Sequence, residues 1–267
     1  MNRSDKVRDA LFNVLDQQFQ VPRRIDPANA AVAVSGATYS GDALAPESII
    51  SIFGSQLADA SAQANEVPLP TRLGGTSIDV RDAAGNVRPM GLFYTSANQI
   101  NAALPAGLAN GLATFTLRTS SGVVRQGAIN VGAISPGLFT ANASGTGVAA
   151  GYITRVRPGA PQTTEPLAEF DTAQSRMVAR AFDMGPAGDQ VYLILFGTGL
   201  RNRSDLAKVV VQVGGVAHPV QYVGAQGMVG LDQINILLSR DLAGRGEIDV
   251  RMTVDGVATN TTRIAVK

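Results

Sequence analysis

The chain has no cysteine, no tryptophan and a single histidine, His218, among its 267 residues. Without a thiol there is no disulfide, no thiolate metal site and no cysteine nucleophile. One imidazole cannot build a multi-histidine metal centre, and a Ser–His–Asp triad would have to rest on His218 alone. Aromatic residues make up 5% of the chain, so a broad aromatic platform for stacking sugars is not expected. Charge is scarce as well. At 16% charged residues and a net charge of +1, nothing general attracts nucleic acid or an anionic membrane. No apolar run approaches the roughly 20 residues needed to cross a bilayer. The stretch Met1 to Arg24 holds no uninterrupted apolar core of the signal-peptide kind. Either the protein stays inside the cell or the chain starts downstream of an export signal. The missing cysteines do not decide between these, because a large enough core makes disulfides dispensable.

What is abundant is turn chemistry, with 29 glycines and 13 prolines. Many turn formers and few charges suit short strands joined by tight turns. The first 27 residues read differently. Val7, Leu11, Val14, Leu15 and Phe19 share one helical face, with Ser4 placed as N-cap and Pro22 as a stop. This predicts a short amphipathic helix and linker over residues 1–27, either packed on the body of the protein or leading in from an upstream domain. Asp5, Asp9 and Asp16 dilute the basic charge that a membrane-surface helix would need. Beyond Pro27 the pattern turns to short apolar runs such as Ser48–Phe53, Thr76–Val80, Ala113–Arg118, Gln190–Phe196, Val209–Val213 and Glu247–Val254. Runs of this kind, separated by turns such as Ser121-Gly122 and Asp255-Gly256, indicate an all-β sandwich or barrel.

An internal duplication organises these runs. Ser51-Ile52-Phe53-Gly54-Ser55-Gln56-Leu57 reads against Ile194-Leu195-Phe196-Gly197-Thr198-Gly199-Leu200, an offset of 143. Leu73-Gly74-Gly75 reads against Val213-Gly214-Gly215 at an offset of 140. Gln99-Ile100-Asn101 recurs as Gln233-Ile234-Asn235 at 134, Gly122-Val123 as Gly256-Val257 at 134, and Ile129 to Val131 as Ile264 to Val266 at 135. Ordered landmarks whose offset drifts only through loops describe two copies of one fold. The expected layout is an immunoglobulin-like module over 28–135, a connecting insert with a hairpin over 136–174 and no counterpart in the other copy, and a second module over 175–267. Gly54, Gly197 and both Gly-Gly pairs read as turn or bulge positions. The amides of the Gln-Ile-Asn tripeptides read first as fold requirements, with sugar binding as their functional alternative.

The stretch Ala45-Pro46-Glu47-Ser48-Ile49-Ile50-Ser51-Ile52-Phe53-Gly54 resembles the opening of the Solibacter-type C-terminal domain, an uncharacterised family. Pro68 to Thr76, Leu92 to Asn101, Ser135-Pro136-Gly137-Leu138-Phe139-Thr140 and Phe196-Gly197-Thr198-Gly199 continue the resemblance, which spans about residues 32 to 267. It implies a domain similar to the IPT/TIG class of immunoglobulin-like folds, a bacterial envelope or secreted setting, and no catalytic residues.

No catalytic motif is present: there is no Gly-x-Ser-x-Gly elbow, P-loop or EF-hand spacing. Gly145 to Gly151 has the spacing Gly-x-Gly-x-x-x-Gly rather than that of a dinucleotide loop, and reads as a turn before a strand. His218 reads as a surface or satisfied histidine. Nothing singles out Asp79 with Asp82, or Glu165 with Glu169, as a hydrolytic pair, and a calcium site near Asp59 and Glu66 lacks the dense ligand spacing such sites have. The sequence therefore predicts no enzyme, no metal and no cofactor. It predicts a structural or adhesive module whose partner is a protein or polysaccharide of the cell envelope. A carbohydrate-binding module would gather Tyr94, Tyr152 and Tyr222 on one exposed face. A carboxylate hydrolase would instead bring acids together between the modules.

Overall fold

The computed structural model of the chain describes residues 29–267, and the helix expected over residues 1–27 lies outside them. The described residues form 24 strands and no α-helix. The first ten are β1 (Val32–Ser35), β2 (Ile49–Phe53), β3 (Ala62–Gln63), β4 (Arg72–Leu73), β5 (Thr76–Arg81), β6 (Val87–Pro89), β7 (Gly91–Thr95), β8 (Gln99–Ala103), β9 (Gly111–Thr119) and β10 (Val124–Val131). They make one sheet ordered β1-β2-β8-β7-β3 and a second ordered β10-β9-β5-β4, with β6 also on β5. Buried and half-buried residues alternate along β5, β9 and β10, as half-buried strands require. Ile50, Ile52, Leu92 and Ile100 of one sheet meet Ile78, Val80, Phe115 and Leu117 of the other in one buried core. Gly127 makes room for that core, because a Cβ there would run into the Phe115 ring and the Ala31 carbonyl.

The next strands are β11 (Gly137–Leu138), β12 (Gly147–Val148), β13 (Gly151–Val156), β14 (Thr163–Pro166), β15 (Ala168–Asp171), β16 (Arg176–Ala179) and β17 (Gln190–Thr198). The chain closes with β18 (Val209–Val213), β19 (Val216–His218), β20 (Val220–Ala225), β21 (Asp232–Leu237), β22 (Gly246–Val254), β23 (Val257–Ala258) and β24 (Thr262–Val266). They form a sheet ordered β14-β13-β17-β21-β20 with β11 on β17, a sheet ordered β12-β24-β22-β18-β19 with β23 on β22, and a separate two-stranded sheet of β15 and β16. A second core lies between the two larger sheets, including Leu193, Leu195, Ile234, Val211, Val250 and Ile264. The protein is thus two β-sandwiches in tandem, each around its own core.

Two readings of the sequence change here. The stretch 136–174 is built into the second sandwich. Its β13 pairs with β17 as β1 pairs with β2, and its Leu138, Ala149, Ile153 and Leu167 are buried in the second core. It lacked a visible counterpart because β1 and β13 share a position in the sheet and no sequence motif. The two Gly-Gly pairs are not equivalent either. β5 lies on β9 with Thr76 opposite Thr119, and β18 lies on β22 with Val209 opposite Val254. Gly74-Gly75 therefore precedes β5, whereas Gly214-Gly215 follows its counterpart β18. Both are hairpin turns with positive φ at each glycine, a local requirement that arose twice at different corners.

The repeated Phe-Gly has a packing role rather than a turn role. Neither Gly54 nor Gly197 has positive φ. A Cβ on Gly54 would come within 2.9 Å of Leu57 Cδ2, and one on Gly197 within 2.8 Å of Leu200 Cδ1. Each glycine opens the space into which the leucine three residues later folds, and both leucines are fully buried.

The sandwiches are joined by direct contacts. Thr198 Oγ1 accepts from the Ile49 N–H (2.8 Å) and donates to the Gly230 carbonyl (2.7 Å). Asn202 Nδ2 donates to the Pro46 carbonyl (3.2 Å), and Ser135 Oγ to the Ala43 carbonyl (2.6 Å). Arg201 binds Asp232 at 2.8 Å on its own sandwich and reaches Glu47 of the other at 3.7 Å.

Candidate functional site

In each sandwich the sheet containing the Gln-Ile-Asn strand turns one face to its core and the other outward, and the outward faces match. Phe53 lies opposite Gln99, and Phe196 opposite Gln233. Tyr94 lies opposite Asn101 and Tyr222 opposite Asn235, each pair just past a register shift in the β7–β8 or β20–β21 ladder. The shift aims each tyrosine to the outside while Leu92 and Val220 keep their places towards the core. The four side chains Phe, Gln, Asn and Tyr therefore recur at equivalent points of two sheets.

The amides are arranged alike. Gln99 Nε2 donates to Asn101 Oδ1 at 2.9 Å, and Gln233 Nε2 to Asn235 Oδ1 at 2.7 Å. In the first sandwich Ser51 Oγ also donates to Asn101 Oδ1, at 3.1 Å. The inner half of each amide pair is thus spent on the sheet. Among the described residues, the glutamine Oε1 acceptor and the asparagine Nδ2 donor have no partner. A tyrosine–phenylalanine contact stands beside each pair. Tyr39 meets Phe53 with ring centroids 6.4 Å apart, and Tyr152 meets Phe196 at 5.9 Å. The scarcity of aromatics thus still permits two small local clusters. Phe53 and Phe196 carried a legible signal, the period-2 parity that sets each strand phenylalanine on the solvent side of its buried neighbours, whereas Tyr39 lies in the loop after β1 and carried none.

The first face is walled. A groove of about 290 Å³ runs between the sandwiches and includes Tyr39, Ser51, Gln99, Asn101, Phe139 and Ala143 in its lining. The wall comes from the second sandwich, where Phe139 follows β11 and Thr140 begins a loop. The Tyr39 hydroxyl donates to the Ala143 carbonyl at 2.7 Å and closes one end. Tyr39 (φ 58°) and Ala143 (φ 51°) both hold left-handed backbone, an uncommon conformation for residues with a Cβ.

The candidates for catalysis and metal binding are dispersed. Asp79 pairs with Arg118 at 3.4 Å on an exposed face. Asp82 closes the β5–β6 turn, accepting from the N–H groups of Ala109, Asn86 and Ala84, and the Ala109 N–H leads in holding its carboxyl below the ordinary range. Glu165 pairs with Arg155 at 3.2 Å and Glu169 with Arg180 at 3.9 Å. Asp59 is bound to the Ser121 hydroxyl and N–H, and the hydroxyl foremost lowers its pKa. At the junction, Asp232 and Glu47 share Arg201. Asp232 also accepts from the Leu200 N–H, although burial lifts its carboxyl above the usual range. Asp189 is gripped by Arg157 at 2.8 and 2.9 Å, and that hydrogen bonding leads in lowering its pKa. No group of three or more potential metal ligands occurs among the described residues. The Gly145 to Gly151 stretch wraps polar anchors, with Thr140 Oγ1 accepting from the Gly145 N–H and Asn260 Nδ2 donating to the Gly145 carbonyl.

His218 is buried rather than on the surface, so that alternative of its sequence reading is corrected. It precedes β20 as Met90 precedes β7, so it occupies the place of a core methionine. Its Nδ1 is 2.8 Å from the Val216 carbonyl, and its Nε2 has no partner among the described residues.

No protein-family model matches the chain, and a search of curated proteins finds no match. Among solved structures the chain is similar to the Bacteroides ovatus mixed-linkage glucan utilization locus protein SGBP-B in complex with a mixed-linkage heptasaccharide, at 13% identity and a TM-score of 0.34. The alignment covers 85% of this chain and 43% of that one, so the chain spans under half of that structure's length. No helix among the described residues is long and apolar enough to cross a membrane.

Proposed function

We propose that the protein is a non-catalytic adhesive module that holds polysaccharide at a bacterial envelope or in an exported matrix. The observation that carries this reading is the recurrence of one outward constellation, Phe-Gln-Asn-Tyr, on both sheets. Core residues recur in a duplication because the fold needs them. Outward aromatic rings beside free amide donors and acceptors have no such need, and they suit a ligand with apolar faces and hydroxyl edges. Two copies on one joined body suit a repeating polymer, since a second contact follows the first at high effective concentration. The resemblance to an exported uncharacterised family supports the setting. Carboxylates engaged in turns and ion pairs support a role without catalysis.

The test is co-sedimentation of the full chain with insoluble neutral and acidic polysaccharides, alongside capture from bacterial envelope extract. Retention on a polysaccharide, reversed by its soluble oligosaccharide, is the expected result. Capture of a protein alone would replace this reading with a protein-binding one, and turnover of a polysaccharide would overturn its non-catalytic part.

A further inference from the structure

Resting on that reading, we infer that the groove between the sandwiches is the principal subsite and that it takes an uncharged pyranose unit of the polymer. Both faces carry the amide pair, and the first is enclosed by the second sandwich. Phe139 and the Thr140 to Ala143 loop of the second sandwich stand over Gln99 and Asn101 of the first. Enclosure removes water from a polar contact, and so strengthens it, only where two walls meet. The groove's volume of about 290 Å³ lies at the small end of ligand pockets, a size for one unit of a larger ligand rather than a whole cofactor.

The lining sets the ligand class. Tyr39 and Phe139 offer ring surface to the C–H faces of a sugar. Asn101 Nδ2 offers a donor and Gln99 Oε1 an acceptor, a complement to neighbouring hydroxyls that can each do both. No Asp, Glu, Lys, Arg or His lines the groove among the described residues. Among the described lining residues the one titratable side chain is Tyr39, whose hydroxyl is bound to the Ala143 carbonyl. A uronate or sulfated sugar would bury its charge unpaired, a cost that a neutral pyranose avoids. The left-handed backbone at Tyr39 and Ala143, joined by their hydrogen bond, holds the end of the groove in shape before the ligand arrives.

The experiment is isothermal titration of the full chain with β-glucan, galactomannan and xylan oligosaccharides, with oligogalacturonate as the acidic probe. The critical variant is Asn101→Asp, which keeps the oxygen accepting from Gln99 and Ser51 and replaces the free donor with a charged acceptor. It should weaken binding of a neutral oligosaccharide about tenfold or more with the unfolding temperature held. Phe139→Leu, which keeps an apolar wall but removes the ring, should weaken it several-fold, and affinity should be flat from pH 5 to 9. Wild-type binding of a neutral sugar with both variants unchanged would overturn the groove assignment and leave the polysaccharide reading standing. Binding of the acidic probe alone would overturn the neutral class. Binding of no probe, together with no retention on any polysaccharide, would overturn both readings.

Discussion

The Ser121 hydroxyl donates a 2.5 Å hydrogen bond to Asp59, tying the loop after Leu57 to the β9–β10 turn. The second sandwich makes the same tie with the chemistry exchanged. There the loop after Leu200 supplies Ser204, whose hydroxyl donates at 2.6 Å to Asp255 in the turn after β22. In both copies the serine N–H also donates to the carboxylate. The tie is conserved between the copies while the residue types trade places, so no aligned motif could have revealed it.

This tie predicts acid sensitivity. The hydroxyls of Ser121 and Ser204 lead in holding Asp59 and Asp255 below their ordinary pKa. A carboxyl depressed on folding binds its proton more readily in the unfolded chain, so its contribution is present above the unfolded value, about 4, and is lost as pH falls through the folded one. Ser121→Ala with Ser204→Ala should flatten the loss of unfolding temperature below about pH 4 while lowering stability modestly at pH 7. An unchanged acid limb in pH-dependent calorimetry would show that other carboxyls dominate it.

The Phe-Gly-x-x-Leu element predicts a matched pair of defects. Leu57→Ala and Leu200→Ala should each cost about 2–5 kcal/mol, the range for emptying a well-packed core position. Gly197→Ala should also destabilise, because its Cβ would lie 2.6 Å from the Gly137 carbonyl oxygen. Urea unfolding with tyrosine fluorescence checks all three.

His218 predicts a gain. Replacing it with Met, the residue at its counterpart position, removes an imidazole nitrogen that is buried without a partner. The Val216 carbonyl that loses a contact belongs to an exposed residue that water reaches. His218→Met should stabilise by about 1 kcal/mol, the lower end of the cost of an unsatisfied buried polar group. A lower melting temperature in calorimetry would show that the imidazole is better paired than its neighbours indicate.

Arg201 predicts the strength of the junction. Removing it in Arg201→Met strips the fully buried Asp232 of its cation and Glu47 of its contact across the sandwiches. Breaking a buried pair on one side costs about 3–5 kcal/mol. Calorimetry should show the second sandwich melting earlier, and limited proteolysis should cut more readily near the junction. A single unshifted transition would mean that Thr198 and Asn202 hold the joint without it.

The sequence by itself determined the all-β class and the duplication. Short runs rich in β-branched residues, such as Val209–Val213, specify strands because branched side chains pack well on a pleated surface. The Gln-Ile-Asn tripeptides and the Phe-Gly-x-x-Leu elements marked equivalent strands, the latter because packing makes the same demand twice. The strand β20 escaped that reading, since Gln221 at the register shift and Gly224 interrupt its alternation. Equivalence of β1 with β13 was equally invisible, for sheet position needs hydrogen-bond partners and not particular side chains. Only the tertiary structure decided which Gly-Gly pair belongs to which corner, because any tight hairpin asks for positive φ. Likewise it alone assembled the groove, where Tyr39, Asn101 and Phe139 meet across two sandwiches. Their proximity is set by how the folded bodies dock, and that is fixed by long-range contacts such as Thr198 with Ile49 and Asn202 with Pro46 that no local pattern encodes.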